Sequence, residues 1–495
     1  MAFLGHILLF KIHYSYMKGK KLILLLQSLE IEEFKRFQIF IQSPFHNSNK
    51  RLLLVYKLLK ASYPHFDGKG LTDQRMFSKL FPKEPFNDYK LRRVLSQFTK
   101  LLEQYLLQLE LEQQTFVARK LYVKALSRRD TYPQFVKEVQ ELKQQLLKED
   151  FRDEENYFEG IQLDYLYYNH PLTEKYTLAD SSLDRMYKEL DYCYVLAKYK
   201  YGIGLKNRDR ILRKKSEMPL QPLVASIAKE DSLVTNPLFS IYKLVWALLE
   251  TSNEKTFYAL KNAFFPIMGE LSRDDQRNIF LSGLNFTNRQ INKGIQGFHQ
   301  ESLDWYKVGL EHDLIIENNK MTGVSFNNIC LLGCTVKDFV WTRQFIEQYQ
   351  VFLDPSIKQD AMTANLGVWY FHQEDFKNTI STLYNHNFSK VYQLRTRIII
   401  IRATFEQLLQ RMDVYDFLIS QIEAFEKFVS RDRLYTPERV NSQLNTVELL
   451  KASARKLRQG VARRAVSTWM DKELSRDKKF TAKTWLREKV QTLEG

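Results

Sequence analysis

The feature that most limits the fold is the spacing of the apolar residues, which follows the turn of an α-helix. In the clearest stretch, residues 91–109, apolar side chains fall at i, i+3, i+4 and i+7, and Lys, Arg, Gln and Glu fill the places between them. This pattern predicts a helix with one face in a core. The 495 residues include only 17 Gly and 12 Pro, about half of the usual roughly 7% and 5%. Because few turns are expected, we predict an all-α fold.

Turn-forming residues divide the first region, residues 17–150, into separate helices. Pro, Gly, Asn and Asp cluster at 43–49, 63–70 and 81–88, and each cluster favours a break between helices. We therefore expect an N-terminal helical domain over 17–150.

A long helix is predicted after Pro171. Its apolar residues alternate steps of four and three: Leu183, Tyr187, Leu190, Tyr194, Ala197 and Tyr201. This is coiled-coil spacing, but it lasts for under three heptads, so we expect a long helical hairpin over 151–216. Pro219 and Pro222 follow it and indicate a linker over 217–236.

Beyond the linker, an aromatic residue recurs after a short polar turn. The five repeat aromatics are Phe257, Phe298, Phe339, Phe376 and Tyr415. They are spaced by 41, 41, 37 and 39 residues, and an apolar residue stands seven places after each of them. A period of this length with one turn in each unit predicts stacked helical pairs over 237–430, because each pair can bury its apolar face only against its neighbours.

The fourth unit, "NLGVWYFHQEDFKNTISTL" (365–383), resembles a tetratricopeptide repeat. Leu366, Gly367, Tyr370, Phe376 and Leu383 stand where that family places its packing residues. Thr379 and Glu374 replace the usual alanine and glycine, and no proline closes the unit, so the copy is divergent. The resemblance implies an α-solenoid of tetratricopeptide-like helical hairpins over about 240–430.

The chain as a whole, including "SPFHNSN" (43–49) and "FEKFVSRDRL" (425–434), also resembles a family of bacterial helical-repeat proteins. That resemblance implies no activity. The residues predicted to pack the repeats are Phe257, Phe298, Phe339, Leu366, Gly367, Tyr370, Phe376 and Tyr415. We expect 431–495 to be a basic helical cap that ends the array.

Cysteine usage and the N-terminus favour a cytoplasmic protein. The three cysteines cannot form a disulfide framework, and Cys330 and Cys334, four residues apart, are predicted to pack in the core. The apolar run in residues 1–10 is too short to span a bilayer, and basic residues follow it, unlike a secretory signal. We expect residues 1–16 to be a disordered extension, and we predict no membrane span.

No motif for catalysis or cofactor binding occurs in the sequence. A P-loop, H-E-x-x-H and G-x-S-x-G are absent, and "YGIGLKN" (201–207) lacks the third glycine and the preceding strand of a dinucleotide site. His372, with Glu374 and Asp375, is the densest reactive cluster, but it is expected to lie in a solvated turn. The sequence therefore predicts no catalytic, cofactor-binding or metal site.

The net charge of +16 is concentrated in two segments. Residues 197–215 carry eight basic side chains against one acidic, and residues 451–495 carry thirteen against five. The residues that could bind a polyanion are Lys206, Arg208, Arg210, Arg213, Lys214, Lys215, Arg455, Lys456, Arg458, Arg463 and Arg464. Two basic patches on a near-neutral body are typical of proteins that bind nucleic acid or another polyanion, although solvated helix faces and helix C-termini also favour cations.

Three functional hypotheses follow from the sequence. The first is a non-enzymatic scaffold that presents the helical repeats to a protein or peptide partner. The second is a nucleic-acid or ribosome-associated protein that acts through 197–215 and 451–495. The third is a helical enzyme whose site is built from distant residues, which an absence of any enclosed polar pocket would contradict. The oligomeric state is not determined by the sequence.

Overall fold

A computed structural model describes residues 20–66, 72–149, 151–173, 181–212, 214–227, 229, 236–431 and 437–494. Within these ranges the chain forms helices joined by turns, with one isolated β-bridge between Glu317 and Lys320. The all-α prediction is confirmed, whereas the prediction for 1–16 lies outside the described residues. No helix in these ranges combines the length and the apolar character needed to cross a bilayer. The chain divides into two compact units, Met1–Asn236 and Pro237–Gly495.

The first core of the N-terminal unit is formed by five helices. These are α1 (Lys20–Gln27), α2 (Ile31–Gln42), α3 (Lys50–Lys60), α4 (Asp73–Leu80) and α5 (Asp88–Gln113). The eight apolar residues on the predicted face of α5 are all buried in this core. Polar residues cap the helices after the predicted turns: the side chains of Asn49, Thr72 and Asn87 each accept a backbone N–H of the first helical turn.

The second half of this unit contains five more helices. These are α6 (Thr115–Leu126), α7 (Tyr132–Leu147), α8 (Glu154–Tyr168), α9 (Ser182–Leu212) and α10 (Gln221–Ile227). α8 and α9 run antiparallel, since Lys200 pairs with Glu154 at one end (2.6 Å) and Arg185 pairs with Asp164 nearer the other (2.8 Å). The short α10 lies within the segment 217–236 predicted to be a linker.

The coiled-coil spacing of α9 marks an exposed face of this helix. Leu183, Tyr187, Leu190 and Tyr201 are exposed, whereas Val195, Leu196, Tyr199 and Ile203 are buried. The helix therefore carries two apolar stripes, and the stripe that the spacing identifies is not the buried one.

The C-terminal unit contains thirteen α-helices within the described residues. They are α11 (Pro237–Thr251), α12 (Glu254–Phe264), α13 (Arg273–Asn292), α14 (Phe298–Glu311), α15 (Gly323–Thr335), α16 (Phe339–Tyr349), α17 (Pro355–His372), α18 (Phe376–Tyr384), α19 (Lys390–Gln410), α20 (Tyr415–Arg431), α21 (Pro437–Arg458), α22 (Arg463–Leu474) and α23 (Lys483–Glu494).

Consecutive helices of this unit pack in pairs. α11 packs on α12, α13 on α14, α15 on α16, α17 on α18 and α19 on α20. The first helices of neighbouring pairs also meet: α15 contacts α17, and α17 contacts α19. Four of the repeat aromatics are the first residue of a second helix, and Phe257 lies in the first turn of α12. The residues seven places later, Phe264, Trp305, Ile346, Leu383 and Ile422, are all buried.

Three of the turns inside these pairs use a left-handed residue that is not glycine. Ser252 has φ of 50°, Lys337 has φ of 65° and Glu374 has φ of 63°. At the Glu374 turn, the Glu374 N–H donates to the carbonyl of Phe371 and the Asp375 N–H donates to that of Tyr370, which is the Schellman arrangement that ends a helix. Asp375 then caps α18 by accepting the Asn378 N–H. Glu374 therefore adopts the left-handed conformation that a glycine usually adopts at this position.

Four glycines allow the helices of a pair to approach closely: Gly283, Gly309, Gly333 and Gly367. A Cβ at Gly283 of α13 would overlap the indole of Trp305 on α14, and a Cβ at Gly367 of α17 would overlap Leu383 on α18. Trp305 is held further by its indole N–H, which donates to the carbonyl of Phe280 (2.9 Å).

Candidate functional site

The first basic segment lies at the end of α9. Arg208 donates to the hydroxyl of Ser216 (3.0 Å), and burial lowers the pKa of Arg210. Lys206 is half-buried, and Lys214 and Lys215 are exposed. The predicted residue Arg213 lies outside the described residues.

Several cations of the second basic segment hold neighbouring helices together. Lys456 lies 5.0 Å from the ring centroid of Trp469, and the Arg458 guanidinium lies 4.7 Å from that of Tyr415. Arg463 donates to the carbonyl of Leu409 near the end of α19 (2.6 Å), where the helix dipole favours a cation. Arg455 and Arg464 are exposed. Polyanion binding by either segment stays a prediction.

The predicted packing residues differ in burial. Phe257 and Phe298 are buried, and Gly367 lies against Leu383. The remaining residues of the set are half-buried: Phe339, Leu366, Tyr370, Phe376 and Tyr415.

Aromatic and charged side chains meet where α23 packs on α17 and α19. Trp485 of α23 is 8% exposed. Its ring centroid lies 6.4 Å from that of Phe371 on α17 and 6.3 Å from that of Phe405 on α19. The C-terminal helix is thus seated on the first helices of two neighbouring pairs through one aromatic side chain. We call the surface beneath it the α17–α19 surface; it comprises Phe371, His372, Arg402, Phe405 and Glu406.

The guanidinium of Arg402 lies between two aromatic rings of this contact. It is 4.6 Å from the ring centroid of Phe371 and 4.4 Å from that of Trp485, a cation–π geometry on both sides. Its buried Nε has no hydrogen-bond partner among the described residues. Burial lowers the pKa of Arg402 to about 10, although Glu406 and Glu488 act in the opposite direction.

Glu406 is the polar centre of the contact. Its carboxylate accepts the indole N–H of Trp485 (2.6 Å) and a hydrogen bond from Lys489 (2.9 Å). Because a buried carboxylate is costly unless it is paired, these two residues compensate its burial. Trp485 and Lys489 are one helical turn apart, as are Arg402 and Glu406, so each pair lies on one face of its helix.

A row of polar side chains extends from this surface across three first helices. Asn365 of α17 donates to Asn327 of α15 (2.6 Å) and to the carbonyl of Ala361 (2.7 Å). The side-chain oxygen Oδ1 of Asn365 accepts a hydrogen bond from Arg395 of α19 at 3.3 Å. The first helices are therefore joined by hydrogen bonds as well as by apolar packing.

His372 lies at the same place, at the end of α17. Burial, and then the charges of Arg402 and Arg395, lower its pKa to about 4. The expectation that His372 lies in a solvated turn is wrong, because the ring is half-buried beside two guanidinium groups.

Two of the cysteines lie on α15, the helix that also contains Asn327. Cys330 and Cys334 of α15 are buried and free. Burial raises the pKa of both thiols, that of Cys334 to about 12. The prediction that they pack in the core is confirmed.

No protein-family model, curated protein or solved structure matches this chain. The resemblance to tetratricopeptide repeats therefore stays a prediction. Among the described residues, no group of three or more His, Cys, Asp or Glu side chains is arranged to hold a metal ion.

The sequence contains a sign of this surface that the motif search does not use. α19 includes the run Ile398–Ile401, and Arg395, Arg402 and Glu406 lie on either side of it. Charged residues within an otherwise apolar helix indicate buried, paired charges. The partner helix, however, lies about 80 residues further along the chain, so no local pattern identifies it.

Proposed function

We propose that this chain is a non-enzymatic scaffold whose helical pairs form a tetratricopeptide-like solenoid and bind a helical segment of a protein partner on the α17–α19 surface. The observation that supports this most directly is the seating of α23 there. Trp485 and Lys489 contact that surface from two adjacent turns of one helix. This is the helix-in-groove mode, in which anchors one turn apart enter a surface formed by other helices.

The chemistry of the surface defines the partner that it would accept. Phe371 and Phe405 supply apolar contact, the Arg402 guanidinium stacks on an aromatic ring, and Glu406 accepts from an indole and an ammonium group. A segment with a tryptophan followed four residues later by a lysine would reproduce the contacts of α23. Aromatic side chains that fill a desolvated pocket commonly supply most of the energy of an interface.

A labelled peptide of residues 479–494 tests the proposal directly. In the full chain, the protein's own α23 competes for the surface, so the parent should bind the peptide weakly. A Trp485→Ala, Lys489→Ala double variant should bind it at least tenfold more tightly by fluorescence polarisation. Adding Glu406→Gln to that double variant should reverse the gain, because the acceptor for both anchors is altered.

A matched control is available on the same helix. Thr484→Ala, Arg487→Ala changes two exposed positions of α23 and should leave peptide binding at the level of the parent. In a second arm, any protein captured by the Trp485→Ala, Lys489→Ala chain must be displaced by excess unlabelled peptide. If that chain is folded by circular dichroism and yet binds the peptide no better than the parent, the proposal is wrong.

A further inference from the structure

One face of the helical hairpin formed by α8 and α9 is apolar and exposed. Six large side chains on it are between 53% and 78% exposed: Phe158, Tyr165, Leu183, Tyr187, Leu190 and Tyr201. We call this surface the α8–α9 face; it also includes the half-buried residues Ile161, Met186 and Cys193. Because monomeric proteins rarely expose an apolar patch larger than a few hundred Å², a patch of this kind indicates an interaction surface.

The exposed residues of the two helices lie on the same side of the hairpin. Lys200 of α9 pairs with Glu154 of α8 (2.6 Å), and Tyr165 follows Glu154 by three helical turns on the same side of α8. On α9, Cys193 lies two turns before Lys200. Burial, and then the charge of Glu154, raise the pKa of its thiol. Leu190 lies one turn before Cys193, so the apolar stripe of α9 adjoins the exposed side of α8.

The core of this part of the chain lies on the opposite side of α8. Leu163 is buried with Leu142 of α7, and Tyr165 is two residues further on, which turns it to nearly the opposite side of the helix. The segment 217–221 lies at the Tyr201 end of the α8–α9 face, where both line a cavity of about 260 Å³. The six side chains remain exposed beside this segment.

The area of the α8–α9 face suits one side of a protein interface. A fully covered Phe or Tyr side chain buries about 200 Å², so the four exposed rings offer roughly 500 Å². A standard interface takes about 800 Å² from each partner, and the rings supply more than half of it before the two leucines are added. Tyrosine, which supplies three of the rings, is enriched at such interfaces.

The spacing and the charge of this face favour a second copy of the same hairpin. The stripe of α9 alternates steps of four and three residues, the spacing with which helices pack on one another in bundles. A second α8–α9 hairpin presents the same spacing. Glu154 and Lys200 neutralise each other within the face, so two copies can meet there without repulsion although the chain has a net charge of +16.

We propose that the protein is a dimer in which the α8–α9 faces of two copies pack together as a four-helix bundle. A two-fold axis relates the copies, so each contributes the same residues. The exposed Tyr and Leu side chains of one hairpin fill the spaces between those of the other. This interface belongs to the N-terminal unit, and the proposal does not depend on the partner-binding role of the α17–α19 surface.

The mass of the unmodified full chain in solution tests the proposal. Interfaces of standard size have micromolar or tighter dissociation constants, so at about 50 µM the chain should be dimeric. Gel filtration with light scattering should then give twice the mass of one chain. A parent with the mass of one chain at this concentration would overturn the proposal.

Variants locate the contact on the α8–α9 face. Tyr165→Glu with Leu190→Glu adds a carboxylate to each helix at positions that are exposed within one chain. Because the dimer would bury these unpaired charges, the variant should have the mass of one chain. The matched control, Tyr89→Glu with Leu107→Glu, makes the same changes at exposed positions of α5 and should stay dimeric. Circular dichroism verifies that both variants are folded.

A milder variant keeps the test decisive if the two glutamates unfold the chain. Tyr165→Ala with Leu190→Ala removes contact area without adding charge and should raise the dissociation constant of the dimer at least tenfold in sedimentation equilibrium. A folded variant of either kind that dimerises as well as the parent would place the contact elsewhere. A parent that stays monomeric but floats with vesicles of phosphatidylcholine and phosphatidylserine would assign the face to a lipid surface, which also overturns the dimer.

Discussion

The protonation of His372 is set by its neighbours rather than by solvent. Its ring is half-buried, and Arg402 and Arg395 oppose a third positive charge. The folded chain therefore takes up a proton on this ring only near pH 4, whereas the unfolded chain does so near pH 6.5. The contribution of His372 to the free energy of unfolding is complete above about pH 6.5 and is lost as the pH falls towards 4.

This difference predicts a pH dependence that one substitution removes. Between pH 7 and pH 5 the free energy of unfolding of the parent should fall by about 2 kcal/mol because of this residue, since each pKa unit corresponds to about 1.4 kcal/mol. The free energy of unfolding of His372→Gln, measured with urea at pH 7 and at pH 5, should fall by about 2 kcal/mol less than that of the parent. Gln373→Ala, a change at the next, exposed position, should behave like the parent. Equal pH dependence of His372→Gln and the parent would contradict the assignment.

At this scale, the sequence predicts which residues are buried better than it predicts which residues meet. The apolar face of α5 and the burial of Cys330 and Cys334 follow from helical spacing alone. The contact of Trp485 with Arg402 and Glu406 does not, because it joins residues about 80 positions apart in the chain. Local spacing contains no information on which distant helix covers a given face.

The helical pairs depend on glycines that let two helices approach. A Cβ at Gly283 would overlap the ring of Trp305, whereas a Cβ at Gly204 of α9 would meet no atom within 4 Å. Both residues lie inside helices, where alanine is intrinsically favoured over glycine by up to about 1 kcal/mol. Alanine substitutions at these two sites therefore separate the effect of helix propensity on stability from the effect of packing.

We expect Gly283→Ala to destabilise the chain by about 1–3 kcal/mol, the usual cost of overpacking. Gly204→Ala, the matched control, should stabilise it by about 0.5–1 kcal/mol. Urea unfolding followed by circular dichroism measures both. If the two variants shift the free energy of unfolding in the same direction, close packing at Gly283 is not the reason for its glycine.

Element boundaries illustrate what the sequence can and cannot specify. The repeat aromatics predict where the second helices begin, because each of them follows the short polar turn that ends a first helix. The turn before Phe376 is predicted, but the left-handed conformation of Glu374 is not, because glycine usually identifies that conformation and it costs another residue about 1–2 kcal/mol. The coiled-coil spacing of α9 is ambiguous for another reason, since that helix has two apolar stripes and only one of them is buried.

Each of the two units contains its own apolar core. The N-terminal cores lie within α1–α5 and α6–α8, and the pairs of the C-terminal unit begin with α11. Asn236, the last residue of the first unit, donates to the carbonyl of Arg152 and to the Tyr157 hydroxyl. The boundary therefore falls between Asn236 and Pro237, at the end of the segment predicted to be a linker.

This boundary predicts that the units fold separately. Chains of residues 1–236 and 237–495, expressed alone, should each be helical by circular dichroism and unfold in a cooperative thermal transition. A control division at Gly283, inside α13, should give a second fragment without such a transition, because it breaks a helical pair. If 237–495 is no more folded than the control fragment, the unit depends on the rest of the chain.

The buried thiols of α15 have a practical consequence for labelling. A maleimide or iodoacetamide dye reacts with the thiolate, and burial both shields Cys330 and Cys334 and keeps them protonated at neutral pH. A cysteine introduced on an exposed turn would react far faster than either of them. Dyes for distance measurements can thus be attached without replacing these two native residues, which leaves the packing of α15 unaltered.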